Sequence, residues 1–406
     1  MRYLLLFVYS FCLITILHAQ DTTQQLVTGR KNQAAQMQKP YLILISADGF
    51  RYDYAAKYNA KDLQTLAKSG VAAKSMLPSY PSVTFPNHYT VATGLYPSHH
   101  GLVYNQFYDR NRKATYNMGD RKAVEDGSWY GGIPIWVLAE QQGMLSASYH
   151  FVGTEAPIQG VLPTYWYKFN DKIPIEQRIK RVVDWLQLPE TERPHIISFY
   201  MSNTDHAGHM YGPDAKETEE ATQFVNDAVA KLHAEVSKLN LPVNFIFLAD
   251  HGMAAVDTVN RIDLYKQIDT AQFIIRGGGT SLHLYAKDPS FIQPMYAQLK
   301  ANAKDYYVYL KNEAPASWHY SAADDVFNRI GDIFIAPKYP LTLTGAGRRI
   351  SPGAHGYDPA MPQMHASFYA WGPAFKKGLV IDSFENVHVY PLMARILGLN
   401  YQHKID

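Results

Sequence analysis

The sequence predicts an α/β fold, with a mainly parallel central sheet, helices on both faces and a small inserted α/β subdomain. Three observations lead there. Short continuous apolar runs recur along the chain, helical patterns separate them, and one late segment breaks the alternation with strand-like runs of its own. The chain has 406 residues, 47% of them hydrophobic and 18% charged, which is enough apolar material for a large core. The formal net charge of +2 gives no strong overall field, so composition argues against a nucleic-acid-binding or membrane-coating surface.

At the N-terminus, Arg2 precedes an apolar run over residues 4–17, and Leu17-His18-Ala19-Gln20 offers a small-residue cleavage site. Residues 1–20 therefore read as a cleaved signal peptide, too short for a comfortable transmembrane helix. A periplasmic or secreted chain with no stable membrane insertion is expected. The only cysteine, Cys12, lies inside that segment, so the mature chain has no disulfide and any metal site must use histidines and carboxylates. Residues 21–38 are polar and Gln-rich and read as a flexible lead-in to a domain spanning 39–406. The run at 41–45 is apolar throughout, as in a strand buried on both faces. Similar runs recur at 144–149, 195–201, 243–249 and 366–371, with helical patterns at 62–69, 218–239 and 387–397. Residues 276–344 hold strand-like runs at 281–285, 306–310 and 332–336 around a helical stretch at 291–303, and read as the inserted subdomain.

The residues just beyond the strands carry the chemistry. The first run leads into Ser46-Ala47-Asp48-Gly49, the third into Asp205-His206-Ala207-Gly208-His209, and the fourth into Asp250-His251-Gly252. Ligands of open parallel sheets bind beyond the carboxyl ends of the strands. Asp48, Asp205, His209, Asp250 and His251 are thereby expected at one edge. Imidazole and carboxylate without thiolate suit zinc in a hydrolytic site. Five such ligands exceed one tetrahedral zinc and approach two, and two metals roughly 4 Å apart can stabilise both the attacking and the leaving oxygen of a phosphoryl displacement.

Ser82-Val83-Thr84-Phe85-Pro86-Asn87 opens a helical segment that ends before Gly94. On local sequence alone Thr84 reads as its N-cap, with Pro86 in the first turn. A helix start also favours a phosphate, and a hydroxyl there beside a metal could ionise and attack phosphorus.

The ordered set Ser46-Ala47-Asp48-Gly49-Phe50, Thr84-Phe85-Pro86-Asn87-His88, Thr93-Gly94-Leu95-Tyr96-Pro97, Asp205-His206-Ala207-Gly208-His209, Asp250-His251-Gly252-Met253 and His355-Gly356-Tyr357-Asp358 resembles the nucleotide pyrophosphatase/phosphodiesterase family of the alkaline phosphatase superfamily. The resemblance runs from about residue 40 to 400. It implies an alkaline-phosphatase-like fold and two zinc ions per chain. One would be held by Asp48, Asp250 and His251 with the nucleophile Thr84, the other by Asp205, His209 and His355. It implies in-line attack by Thr84, a phospho-threonine intermediate, and a hydrogen bond from Asn105 to a phosphate oxygen. The expected substrate is a small phosphodiester, with nucleotides favoured. An alkaline-phosphatase-type phosphomonoesterase and a choline-headgroup phosphodiesterase are the alternatives.

Phe85, beside the nucleophile, and Tyr200 match the aromatics that hold a base in nucleotide-cleaving members, and Tyr165 and Tyr167 are further candidates for that pocket. A monoesterase needs an extra positive group, for which Arg51 and Lys74 are candidates. Ser202-Asn203-Thr204 stands where many members carry an acidic pair and Pro, a departure that bears on substrate preference. His365 is set aside as a ligand because it lies outside the His355 motif. His88, His99, His100, His150, His206 and His283 are read as structural or surface histidines.

Overall fold

The computed structural model describes residues 22–406, so the expected signal peptide lies outside the described residues. A nine-stranded sheet forms the centre. Its order is Gln25–Leu26, Tyr165–Tyr167, Ser146–Tyr149, Ile196–Met201, Tyr41–Ala47, Val243–Leu248, Phe368–Trp371, Val71–Ala73 and Leu379–Ile381. The five strands from Tyr165–Tyr167 to Val243–Leu248 are mutually parallel. All residues of Tyr41–Ala47 and Val243–Leu248 are buried, which is what a continuous apolar run requires of a strand covered on both faces. Each fully buried Leu or Ile there contributes about 1.5–3 kcal/mol relative to exposure.

Register aligns the strand ends. Ser46 is level with Tyr200 on one side and with Leu248 on the other. Asp48 and Asp250 therefore leave the sheet two residues beyond a common line, and the turn to Asp205 starts from the same edge.

Two helices set that edge. Asn203–Tyr211 comes almost directly after Ile196–Met201, and Thr84–Thr93 is buried along nearly its whole length. Thr84–Thr93 ends at Gly94, whose φ of 68° gives the left-handed C-cap that a side chain would strain. Helix Val389–Leu397 packs on Thr84–Thr93 and on strand Tyr41–Ala47, while Lys216–Ser237 packs on Lys61–Lys68, Ile175–Leu186 and Asn203–Tyr211. Val225, Val229, Leu232 and Val236 give this last helix its buried stripe at helical spacing. No helix among the described residues is long and apolar enough to cross a membrane.

Three features differ from expectation. Phe368–Trp371, read as one more strand of the parallel set, runs antiparallel to Val243–Leu248 and to Val71–Ala73. Residues 22–38 are held in place rather than leading in loosely. Gln25–Leu26 pairs with Tyr165 and Trp166 at the sheet edge, and the buried Asn32 amide donates to the Glu190 and Arg193 carbonyls and accepts from Leu145 N–H. Thr84 is the first helical residue and not the cap. Val83 occupies the cap position with extended backbone, and no side chain caps the helix.

Beyond Asp250 the chain builds a second, four-stranded antiparallel sheet in the order Phe273–Gly278, Ser281–Ala286, Ile333–Pro337 and Tyr306–Leu310, with helix Ile292–Ala301. It has a core of its own, including Leu282, Leu284, Leu299 and Ile335, which reaches Ile262 on one side and Leu343 on the other. A buried ion pair ties this unit to the main body. Arg329 donates to Asp109 at 2.7 Å and to the Gly101 and Trp129 carbonyls.

Candidate metal centre and nucleophile

The strand-end residues converge. His251 Nε2 lies 3.0 Å from Asp250 Oδ2, 3.5 Å from Asp48 Oδ1 and 3.3 Å from Thr84 Oγ1. Asp205 Oδ1 is 3.4 Å from Nε2 of both His209 and His355. The rings form a continuous row, with His355 stacked on His251 at 3.6 Å between centroids and His209 4.9 Å beyond His355. One donor set is Asp48, Asp250 and His251, and Asp205 with His355 continues directly from it.

The free atoms of these residues all face the same space. Each histidine has its Nδ1 against a backbone carbonyl: Gly252 for His251, Gly353 for His209 and Ser82 for His355, each at 2.9 Å. Such a bond places the proton on Nδ1 and turns the Nε2 lone pair inward, as metal-ligating histidines require. The carboxylates are divided in the same way. Gly49 N–H satisfies Asp250 Oδ1 and the Tyr200 hydroxyl satisfies Asp48 Oδ2, whereas Asp48 Oδ1, Asp205 Oδ1 and Asp250 Oδ2 are buried with no hydrogen-bond donor. Orphaned anionic oxygens facing imidazole lone pairs fit a divalent cation, and an all-N/O set of this kind fits zinc.

Charge reports the same crowding. Burial, then the nearby Asp250 and Asp205, hold the Asp48 carboxyl well above the usual carboxylate range, against the Tyr200 hydrogen bond. Burial would raise Asp250 too, but the imidazoles of His251 and His88 hold it well below. Burial opposes the charge on His251, yet Asp250 outweighs it and raises that imidazole.

Thr84 sits at the helix start with Oγ1 turned to His251. The helix is held by Asn87, whose amide donates to the Pro81 and Val83 carbonyls and accepts from Ser79 N–H and Asn386. Asn105 Oδ1 accepts from Phe85 N–H at 3.0 Å. Because an N–H can pair only with the amide oxygen, this bond fixes the amide and leaves Nδ2 as the donor for a ligand. With Phe85 N–H so used and Pro86 lacking one, the helix start offers fewer free donors than a typical anion site.

The aromatic candidates separate. Phe85 is partly buried beside Thr84, 6.3 Å from the Tyr116 ring. Tyr200 reaches the site through its hydroxyl, 2.6 Å from Asp48 Oδ2, which makes it a support for that carboxylate. Tyr165 does not reach the site. It lies at the start of its strand, the end away from the site, buried with its hydroxyl on the Glu192 carbonyl. Tyr167 stacks on Tyr149 in the core.

Two residues were missed. His88, read as structural, has Nδ1 3.0 Å from the Thr84 carbonyl and Nε2 2.8 Å from Ser46 Oγ, so it braces the helix that starts at Thr84, and its ring stands against Asp250, with Nδ1 3.2 Å from Oδ2. Its place one turn after Thr84 was the available signal. Phe169 is 46% exposed against Tyr200 and borders a cleft of about 770 Å³ that Asp205, His206, Tyr211 and Phe224 also line. Nothing in its local sequence marked it. His365 lies apart, with Nδ1 on Ser75. The expected positive groups are both engaged, Arg51 with Asp53 and the Met253 carbonyl, and Lys74 with Asp382.

The mixed α/β sheet has the alkaline-phosphatase-like fold and gathers carboxylates, imidazoles and a helix-start hydroxyl into a candidate metal centre at one edge, and comparison narrows the class. Residues 42–358 match the family model described as type I phosphodiesterase / nucleotide pyrophosphatase. The chain is 34% identical to human ectonucleotide pyrophosphatase/phosphodiesterase family member 1, over 90% of this chain and 40% of that one. It is 33% identical to an uncharacterized pyrophosphatase/phosphodiesterase of Schizosaccharomyces pombe, over 93% of this chain and 81% of that one. Murine ectonucleotide pyrophosphatase/phosphodiesterase 5 superposes with a TM-score of 0.84 at 26% identity, covering 90% of this chain and 97% of that one. An inactive threonine-to-alanine variant of that murine protein in complex with AMP superposes equally well, at 25% identity over 91% of this chain and 98% of that one. The protein belongs to the type I phosphodiesterase/nucleotide pyrophosphatase family, and it spans about two fifths of the length of the first curated relatives it matches.

Proposed function

We propose that the chain is an exported, two-zinc hydrolase that cleaves phosphodiester or pyrophosphate bonds of nucleotides through a covalent adduct on Thr84. The observation that carries this reading is the approach of Thr84 Oγ1 to 3.3 Å from His251 Nε2, at the rim of three donorless carboxylate oxygens. Asp48, Asp250 and His251, with Thr84, would hold one zinc, and Asp205, His209 and His355 the other. Bound there, the pair would supply the positive charge that makes a hydroxyl nucleophilic and a departing oxygen stable at neutral pH.

The chain's own residues do the rest. Thr84 Oγ attacks phosphorus, a new Oγ–P bond forms as the bond to the leaving oxygen breaks, and the adduct keeps the other ester group. Water then attacks the same phosphorus and frees Thr84. Asn105 Nδ2, fixed by the Phe85 N–H, donates to a non-bridging oxygen. Tyr200 and His88 keep Asp48 and Asp250 in register, while Phe85 beside Thr84 and the exposed Phe169 on the cleft are the apolar rings available to a base. Nucleotides are favoured by the names of the relatives and by AMP in the murine neighbour. A monoesterase is disfavoured because Arg51 and Lys74 are neutralised by Asp53 and Asp382. Export rests on residues 1–20 reading as a signal.

The test is kcat/KM of zinc-loaded protein on an aryl phosphodiester and the matching monoester, with Thr84→Ala as control. A diester preference lost in the control is expected. A monoester preference would move the assignment to phosphatases, and turnover surviving in the control would remove Thr84 from the chemistry.

A further inference from the structure

Phe169 follows two residues after the end of strand Tyr165–Tyr167, at the carboxyl edge of the parallel strands. Its half-exposed ring faces the cleft, where no core encloses it. The seat of that ring comes from neighbouring strands. Tyr149 is level with Tyr167 on one side and with Phe199 on the other, so His150 leaves the sheet level with Lys168 and Tyr200. The Phe169 ring lies against both flanking rings, 5.2 Å from His150 and 6.1 Å from Tyr200 between centroids.

The backbone under the ring is gripped twice from the loop after Tyr149. Glu155 Oε1 accepts from Phe169 N–H at 3.1 Å, and His150 Nε2 accepts from Asn170 N–H at 3.3 Å. Both acceptors are buried and themselves held. Glu155 Oε2 pairs with Arg121 at 2.6 Å. His150 has left-handed backbone, with φ at 60°, a conformation that histidine, asparagine and aspartate adopt more readily than other side chains. Burial, and then Arg178, push its imidazole down to about 3, so the ring is neutral and keeps a lone pair for the Asn170 N–H. On the far side the buried Asn170 is locked as well, its Oδ1 accepting from Lys172 N–H and its carbonyl from Ile173 N–H. A strained backbone turn and a neutral buried imidazole are thus kept at the rim of the centre, yet neither touches a candidate metal ligand.

We infer that His150 is a positioning residue for Phe169, fixing through the Asn170 N–H and the ring contact the angle at which Phe169 meets the base of a substrate. The role rests on the proposed function, in which that ring is available to a base. A ring held in place before binding gives up less freedom when it stacks, so His150 acts on substrate affinity and leaves the chemistry at phosphorus alone.

The experiment uses the zinc-loaded protein and two substrates with the same leaving group, the p-nitrophenyl ester of a nucleoside 5′-monophosphate and p-nitrophenyl methyl phosphate, of which only the first has a base. His150→Gly accepts the left-handed turn without strain and removes both acceptor and ring. It is expected to raise KM for the nucleoside ester about three- to tenfold with kcat within about twofold, and to change kcat/KM on the methyl ester less than about twofold. His150→Asn, which fits the same turn and restores an acceptor, should recover part of the loss. Added to Phe169→Ala, His150→Gly should cost less than about twofold more, because residues that act through one contact do not add. An equal loss on both esters, a full further loss in the double variant, or no loss at all overturns the assignment. Should His150→Gly not fold, Glu155→Leu removes the neighbouring acceptor and is held to the same outcomes. If wild type turns over neither ester, the proposed function fails. Calorimetric affinity for the nucleoside monophosphate then still reads His150, and an affinity that ignores His150→Gly removes this role too.

Discussion

Replacing Tyr200 with Phe removes one oxygen and leaves the ring against His88 and Phe169. The lost group donates at 2.6 Å to Asp48 Oδ2, while Asp48 Oδ1 faces the centre without a donor. Asp48 already resists ionisation because of its burial and of Asp250 and Asp205, and Tyr200 is the contact that counters them. A hydrogen bond to a charged group contributes about 1.5–3 kcal/mol, and tenfold in affinity corresponds to about 1.4 kcal/mol. Zinc affinity of Tyr200→Phe should therefore fall about 10- to 100-fold, the range expected when a ligand loses its supporting partner. Competition against a chromophoric chelator at neutral pH reads this directly. With zinc in excess, kcat/KM should recover to within a few-fold of wild type. An affinity within twofold of wild type would refute the reasoning, because Asp48 would then be oriented by the fold alone.

Three further outcomes are expected. Arg329→Met should destabilise by about 3–5 kcal/mol, since Asp109 keeps a buried charge without its partner, and the double variant with Asp109→Asn should recover part of it; denaturant midpoints check this. Chelation should lower the melting temperature of wild type and Thr84→Ala alike, by the equivalent of about 4 kcal/mol if zinc stands a thousandfold above its Kd, because a neutral Thr84 hydroxyl adds less charge to the proposed site than its carboxylates do. The third concerns His99 and Asp406, which meet at 2.7 Å. Their hydrogen bond raises His99 against its partial burial, and it lowers Asp406, whose burial alone would raise it. The raised imidazole contributes stability below its unfolded pKa and loses it as pH rises through the folded one. The lowered carboxyl contributes above its unfolded pKa and loses it as pH falls through the folded one. The stability gap between wild type and Asp406→Asn should thus be widest around pH 5 to 6 and narrow by about pH 9, staying below about 1 kcal/mol because solvent screens the pair.

The residues themselves explain how much the sequence disclosed. Residues 41–45 and 243–249 are apolar without alternation because both sheet faces are covered, and parallel strands of that kind deliver the residues after them to one edge. Asp48, Asp205 and Asp250 could be gathered on that ground. His355 could not, for it arrives from a loop after the inserted subdomain, and only its motif pointed to it. An apolar run carries no strand direction, so the reversal of Phe368–Trp371 was hidden. Nor does it reveal which end of a strand meets the site, and for that reason Tyr165 was drawn in although its hydroxyl belongs to Glu192. The polar stretch at 22–38 gave no periodicity because it is anchored by edge pairing and by one buried amide, Asn32, instead of an apolar stripe. Phe169 meets Tyr200 only through the fold, which its neighbours in sequence do not encode.

The stereochemical course at phosphorus tests the central claim most directly. A nucleotide phosphodiester made chiral with sulfur and an oxygen isotope is hydrolysed, and the product configuration is read. Two successive in-line displacements, the first by Thr84 and the second by water, predict net retention. Net inversion would mean that water attacks the substrate in a single step, and Thr84 would then not be the nucleophile.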